Sequence, residues 1–139
     1  FQLIKSGVQL ADIVVVYCSI IRTILEHACP VWHCGLSAQA DEIESVQRRC
    51  MRALLPDISY DEALFIFGLE RLDVRRERIV RDLFNEVKCE GHVLNHLLLK
   101  RNTELSKVDT RNKYPYLMKF GKTNRLNRSF IYYCIKKKY

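Results

Sequence analysis

Between residues 11 and 28 (ADIVVVYCSIIRTILEHA) the apolar positions recur at helical spacing. Leu10, Ile13, Val14, Tyr17, Ile20, Ile21, Ile24, Leu25 and Ala28 share one stripe. The spacing predicts a first helix, capped by Asp12 and supported by an Arg22–Glu26 pair at i, i+4. The β-branched IVVV run pulls towards a strand, but the length of the periodic run favours the helix. Pro30 predicts its end, because the residue before a proline avoids the α region. A second helix is predicted from a Ser37 cap to about Leu55, with Ile43, Val46, Cys50, Ala53 and Leu54 facing inward. Its first half is acidic (Asp41, Glu42, Glu44) and its second half basic (Arg48, Arg49, Arg52), the order that suits a helix dipole. Pro56 and Asp57 interrupt the chain. SYDEALFIFG (59–68) then reads as a short helix, with a Ser59/Glu62 capping box and Gly68 at the C-terminal left-handed position. A fourth helix is predicted from near Asp73 to about Val87. Ile79, Val80, Leu83, Phe84 and Val87 form its buried stripe, and Arg75, Arg76, Glu77, Arg78, Arg81 and Asp82 its charged outer face.

EGHVLNHLLL (90–99) predicts a turn and a short helix. Beyond Lys100 no period is sustained. Basic residues alternate with Tyr114, Tyr116, Phe120, Phe130, Tyr132 and Tyr133, which predicts an extended arm with a short β pairing at 129–135. No internal repeat or low-complexity tract is present. The expected fold is all-α: a small bundle of four or five helices over residues 1–99, followed by an irregular basic C-terminal arm over 100–139.

Composition fits one globular domain: 139 residues, 48% hydrophobic and 28% charged. Charge changes the picture more. Residues 1–99 carry 11 Lys/Arg against 14 Asp/Glu, and residues 100–139 carry 12 against 2. The net charge of +7 therefore resides in the last forty residues. Such a tail suits a polyanion, nucleic acid first and an anionic membrane second; the plainer alternative is a solvated tail that keeps the chain soluble. The longest apolar run, Ile13–Ile21, is nine residues, short for a bilayer crossing, so no membrane partner is expected. The chain opens on Phe1, as a piece of a longer protein would, and shows no export signal. An intracellular, reducing compartment is expected, with the six cysteines as free thiols.

Four chemistries are suggested by isolated residues. HACPVWHC (27–34) packs two His and two Cys into eight positions, but a zinc site needs four ligands at workable distances and no partner pair is present. His92 and His96 stand at i, i+4 and could share one helix face. The structural alternative treats Cys29 and Cys34 as small hydrophobes and Trp32 as the anchor of the turn. No motif orients a Cys–His nucleophile. Gly121–Lys122–Thr123 ends like a phosphate loop, but the earlier glycine it requires is Tyr116. Asp61 and Glu62 are explained by a helix N-terminus, not by a two-metal site. No catalytic residue, metal, cofactor or small-molecule substrate is expected. The basic aromatic arm is the remaining candidate: Arg and Lys neutralise phosphates, and Tyr and Phe offer faces for bases.

Several segments resemble one family, in order along nearly the whole chain. VYCSIIRTILEHACPVWHCGLS resembles the YCSLIRSVLEYACPVWH segment that follows the polymerase domain in non-LTR retrotransposon reverse transcriptases of the Jockey/CR1 type. DEIESVQRRCMRALLPDISYDEAL is similar to the family's IERVQKRALRIIYP…SYEEAL, and LDVRRERIVRDLF to L…RREELCRKLF. GHVLNHLL resembles HPLHHLL, and RNKYPYLMKFGKTNRLNRSFIYYC resembles RKYPLPKCRTERYKNSFIPYC. Cys34 departs from the Pro, Ser or Thr usual at its position, and the CIKKKY end is more basic than the family's. The family's palm, with its Tyr/Phe-Ala-Asp-Asp signature, lies upstream and is absent here. The resemblance implies a helical thumb and C-terminal extension of an RNA-directed DNA polymerase, non-catalytic in itself. Its implied partners are an RNA/DNA duplex and the upstream palm. Arg48, Arg49 and Arg52 on the second helix are implied phosphate contacts. So are Arg111, Lys113, Lys122, Arg125 and Arg128, which match basic positions of the family's tail. Salt-sensitive, sequence-tolerant binding is expected, lost on removal of residues 100–139. The rival expectation is a helical protein-interaction module or a non-functional relic of the element.

Overall fold

The computed structural model describes residues 7–35, 39–101, 114–118 and 123–139. Among them the fold is all-α. We label the helices α1 (Leu10–Val16), α2 (Thr23–Glu26), α3 (Cys29–Trp32), α4 (Ala40–Leu54), α5 (Tyr60–Ile66), α6 (Leu72–Val87), α7 (Asn124–Asn127) and α8 (Phe130–Lys137). A π-helical segment, Tyr17–Arg22, joins α1 to α2, and 3-10 turns lie at His33–Gly35 and Asn95–Leu97. Two compact units form. The first takes the chain to residue 29 and residues 36–76; the second takes residues 30–35 and 77–139. The division falls inside α6, whereas the change in charge falls near residue 100, because composition follows solvent contact and not packing.

In the first unit Tyr17, Met51, Ala63 and Leu64 form the core, with Leu54, Tyr60 and Phe67 packed against it. The predicted first-helix stripe holds only as far as Tyr17. Val14 and Tyr17 are buried, but Ile20 and Ile24 are 56% and 70% exposed. The π segment is the cause. Its wider turn shifts later positions, so Cys18, Arg22 and Glu26 take partly buried places beside Leu25, which stays half-buried as the stripe predicts. Asp12 lies within the first turn and Gln9 is the N-cap. Glu26 pairs with Arg75 at 2.8 Å and not with Arg22. The helix ends at Glu26, four residues before Pro30, and His27 and Ala28 turn the chain, Ala28 with a left-handed φ of 49°. Pro30 itself stands in the first turn of α3, where its missing N–H costs nothing. Within Leu10–Gly35 an 18-residue window of mean hydropathy 1.4 is long and apolar enough to cross a membrane, by length and composition only.

The expected Ser37 cap lies outside the described residues, and the observed N-cap of α4 is Gln39. The buried centre of α4 is Glu44, Gln47 and Met51. The predicted apolar stripe, Ile43, Val46, Cys50, Ala53 and Leu54, flanks that centre half-buried. For α5 the capping box forms as expected: Ser59 N–H and hydroxyl donate to Glu62 Oε2 at 3.2 and 2.7 Å, and Glu62 N–H donates back to Ser59 Oγ. Gly68 takes the left-handed φ of 61° that this helix end requires.

The core of the second unit is Val80, Phe84, Tyr116, Cys134 and Ile135. Phe130 meets Phe84 edge-on, with ring centroids 6.1 Å apart. Residues 130–137 are helical, not an extended arm with a β pairing. FIYYCI is apolar at every position, so its pattern does not discriminate a strand from a helix. Lys136 and Lys137 in the last turn favour the helix through its dipole, and Lys138 closes it with a left-handed φ of 60°. Removing residues 100–139 would strip Tyr116, Cys134 and Ile135 from this core. Such a deletion therefore tests folding, and point variants are the proper probe of binding.

Candidate nucleic-acid interface

Arg48, Arg49 and Arg52 are all exposed on α4. At about 100° per residue they fall within roughly one-third of the helix circumference. The Arg48 guanidinium lies 5.3 Å from the centroid of the Tyr60 ring. Arg49 Nε donates to Ser45 O at 3.4 Å. Arg48 and Arg52 help line a cavity of about 130 Å³ with Met51, Pro56, Ser59 and Tyr60. No ion pair to an acid neutralises these three arginines among the described residues.

Polar residues on the inner side of α4 hold this face in place. Tyr17 OH donates to Gln47 Oε1 at 2.6 Å. Gln47 Nε2 donates to Tyr60 OH at 2.9 Å and to Glu70 O at 3.0 Å. Tyr60 OH donates to Glu44 Oε1 at 2.5 Å, and Leu72 N–H donates to Glu44 Oε2 at 3.0 Å. Burial pushes both phenols up from their ordinary values, and for Tyr60 the bond to Glu44 adds to the shift, so both remain donors at neutral pH. The network ties α4 to the π segment, to α5 and to the start of α6. It fixes the backbone that carries the arginines, which can then meet phosphates in a set geometry.

Arg125 sits in α7 and Arg128 is its C-cap. Both are exposed, three residues apart on the second unit. Arg111, Lys113 and Lys122 lie outside the described residues. The structure thus gathers the three α4 arginines on one face of that helix in the first unit, and exposes Arg125 and Arg128 in the second unit.

Sequence reasoning missed a cluster around Glu77, which it placed on an outer charged face. Glu77 is half-buried. His33 Nε2 lies 2.7 Å from Glu77 Oε2, and Tyr133 OH donates to the same oxygen at 2.7 Å. Tyr139 OH donates to Oε1, and Lys137 Nζ is 3.6 Å from it. Burial works to raise the Glu77 carboxyl, but the hydrogen bonds from His33 and Tyr133, with Lys137 nearby, outweigh it and hold it below its ordinary value. A carboxylate depressed on folding stabilises the fold above its unfolded value, about 4.3, and that contribution disappears as pH falls through the folded value. Wild-type protein should therefore lose more thermal stability between about pH 5 and about pH 3 than Glu77→Gln, which has no proton to gain. Equal losses in the two melting series would contradict this.

His33 of HACPVWHC is thus engaged with a carboxylate. Cys29 is buried, its thiol pushed up to about 11 chiefly by burial, and burial pushes Cys134 up to about 12. Both are poor nucleophiles at neutral pH. Cys34 Sγ donates to Pro30 O at 3.7 Å. His92 and His96 do not share a helix face: His92 Nδ1 accepts from Leu94 N–H, and His96 Nδ1 contacts Val93 O at 2.7 Å. Among the described residues no three His, Cys, Asp or Glu side chains gather as a metal-ligand set. No sequence signal predicted the Glu77 cluster, because its members lie 44 to 62 positions from Glu77. No protein-family model, curated protein or solved structure matches this chain.

Proposed function

We propose that this chain is the non-catalytic, thumb-like C-terminal part of an RNA-directed DNA polymerase of a mobile element, and that it clamps a template–primer duplex through backbone phosphates. The observation that carries the reading is the face of Arg48, Arg49 and Arg52, exposed together and without acidic partners among the described residues, on a helix anchored from behind by Glu44 and Gln47. The ordered segment resemblance and the basic C-terminal forty residues support it. Chemistry is left to an upstream palm. The exposed apolar side of the first helical stretch (Val15, Val16, Ile20, Ile24) is the surface on which that palm would rest.

The same apolar face favours a second reading, a helical module that docks a protein or its own copy. Two measurements separate the readings. Fluorescence anisotropy with two blunt RNA/DNA hybrids of unrelated sequence should give equal affinities, because phosphate contacts carry no sequence information. Light scattering without nucleic acid should give a monomer mass. Self-association together with no hybrid binding would overturn the clamp and favour the module.

A further inference from the structure

We propose that a groove in the second unit, lined by Lys88, Lys100, Arg101 and Tyr116, seats a single strand of nucleic acid. This rests on the nucleic-acid reading above but goes beyond it, since that reading concerns a duplex and the α4 arginines of the first unit. The groove measures about 320 Å³, and Glu90, Asn95, Leu98 and Leu99 complete its lining. The lining thus holds three cationic residues and one acidic residue. The size lies at the low end of the range of about 300–1,000 Å³ typical of small-ligand clefts. A flexible single strand can bend its phosphates into a cleft of that size more readily than the stiff cylinder of a duplex can.

The Lys88 side chain and the backbone of Lys100 and Arg101 are held by structure. Lys88 Nζ donates to Asn85 Oδ1 at 2.8 Å and sits 4.9 Å from the centroid of the Phe84 ring. Arg101 and Tyr116 form an antiparallel bridge, and Lys100 O accepts from Leu117 N–H at 2.9 Å. The backbone at residues 100 and 101 is therefore fixed relative to Tyr116. Leu98 and Leu99 pack against the core. Tyr116 is 6% exposed within that core and offers no face for a base to stack on. Recognition is thus electrostatic, directed at consecutive phosphates, and tolerant of sequence.

Lys100 and Arg101 are both exposed, so K100Q/R101Q should fold normally. The test compares wild type and this variant by anisotropy on a fifteen-nucleotide oligothymidylate and on a blunt duplex. Single-strand affinity should fall by about 20-fold near 0.1 M salt, with a salt slope shallower by about 1.4, from about 0.7 per lost phosphate contact. Duplex affinity should not change. An equal fall on both substrates, or on neither, overturns the groove. So does wild-type binding of the duplex alone, and so does displacement of the oligonucleotide by polyglutamate, which would point to an acidic peptide. Wild-type binding of neither substrate removes the duplex reading as well.

Discussion

R48Q/R49Q/R52Q should bind a blunt duplex about 500-fold more weakly than wild type near 0.1 M salt, at about 0.9 released counterions per phosphate contact. The three side chains are exposed, so neutralising them leaves the core of α4 intact. Lost contact between Arg48 and the Tyr60 ring costs about 0.5–1 kcal/mol of stability, too little to unfold the unit. The salt slope should become shallower by about 2.7, and the loss should be the same on every sequence, as expected of phosphate contacts. A circular-dichroism melt run alongside the anisotropy titration separates lost binding from lost fold. Unchanged affinity in a folded variant would remove α4 from the interface.

Glu44→Leu should be the most damaging single change to the first unit, at about 3–5 kcal/mol in urea unfolding. Glu44 is 2% exposed, and its two oxygens accept from Tyr60 OH and Leu72 N–H. Leucine removes both acceptors and strands both donors in the interior. Each bond to a charged acceptor contributes about 1.5–3 kcal/mol, and an unsatisfied buried donor costs about 1–3 kcal/mol. Tyr60 would also hold Gln47 less well, so the loss should spread to the contact with Glu70. Glu42, exposed on the same helix, provides the control: Glu42→Leu should change stability by less than about 0.5 kcal/mol. Similar losses from the two substitutions would mean that the network behind the arginine face contributes little.

These two expectations also mark where sequence was a sufficient guide. Local signals read correctly. Ser59 with Glu62, Gly68, and the spacing of Val80, Phe84 and Val87 each depend on residues a few positions apart, and each appears as the pattern predicts. The all-α class follows from such signals. Glu44 and Gln47 were not legible as core, because a polar residue on a helix reads as solvent-facing until its distant partners are known. Their partners, Tyr17, Tyr60, Glu70 and Leu72, lie 13 to 30 positions away. Glu77 was misplaced for the same reason.

The π segment defeated periodicity in another way. A count at 3.6 residues per turn cannot anticipate a wider turn, so Ile20 and Ile24 were assigned to the core and emerged on the surface. In the tail, a uniformly apolar hexapeptide left helix and strand indistinguishable. Of the eight residues that the resemblance implies as phosphate contacts, Arg48, Arg49 and Arg52 share one exposed face of α4. Arg125 and Arg128 were legible only as basic positions in a tail.

The central claim is electrostatic clamping of a duplex, and the most direct test is the dependence of wild-type affinity on salt. A plot of log affinity against log salt concentration for one blunt duplex should be linear and at least as steep as about −2.7, the share of Arg48, Arg49 and Arg52 alone. A flat plot, or no measurable binding at about 0.05 M salt, would contradict the claim.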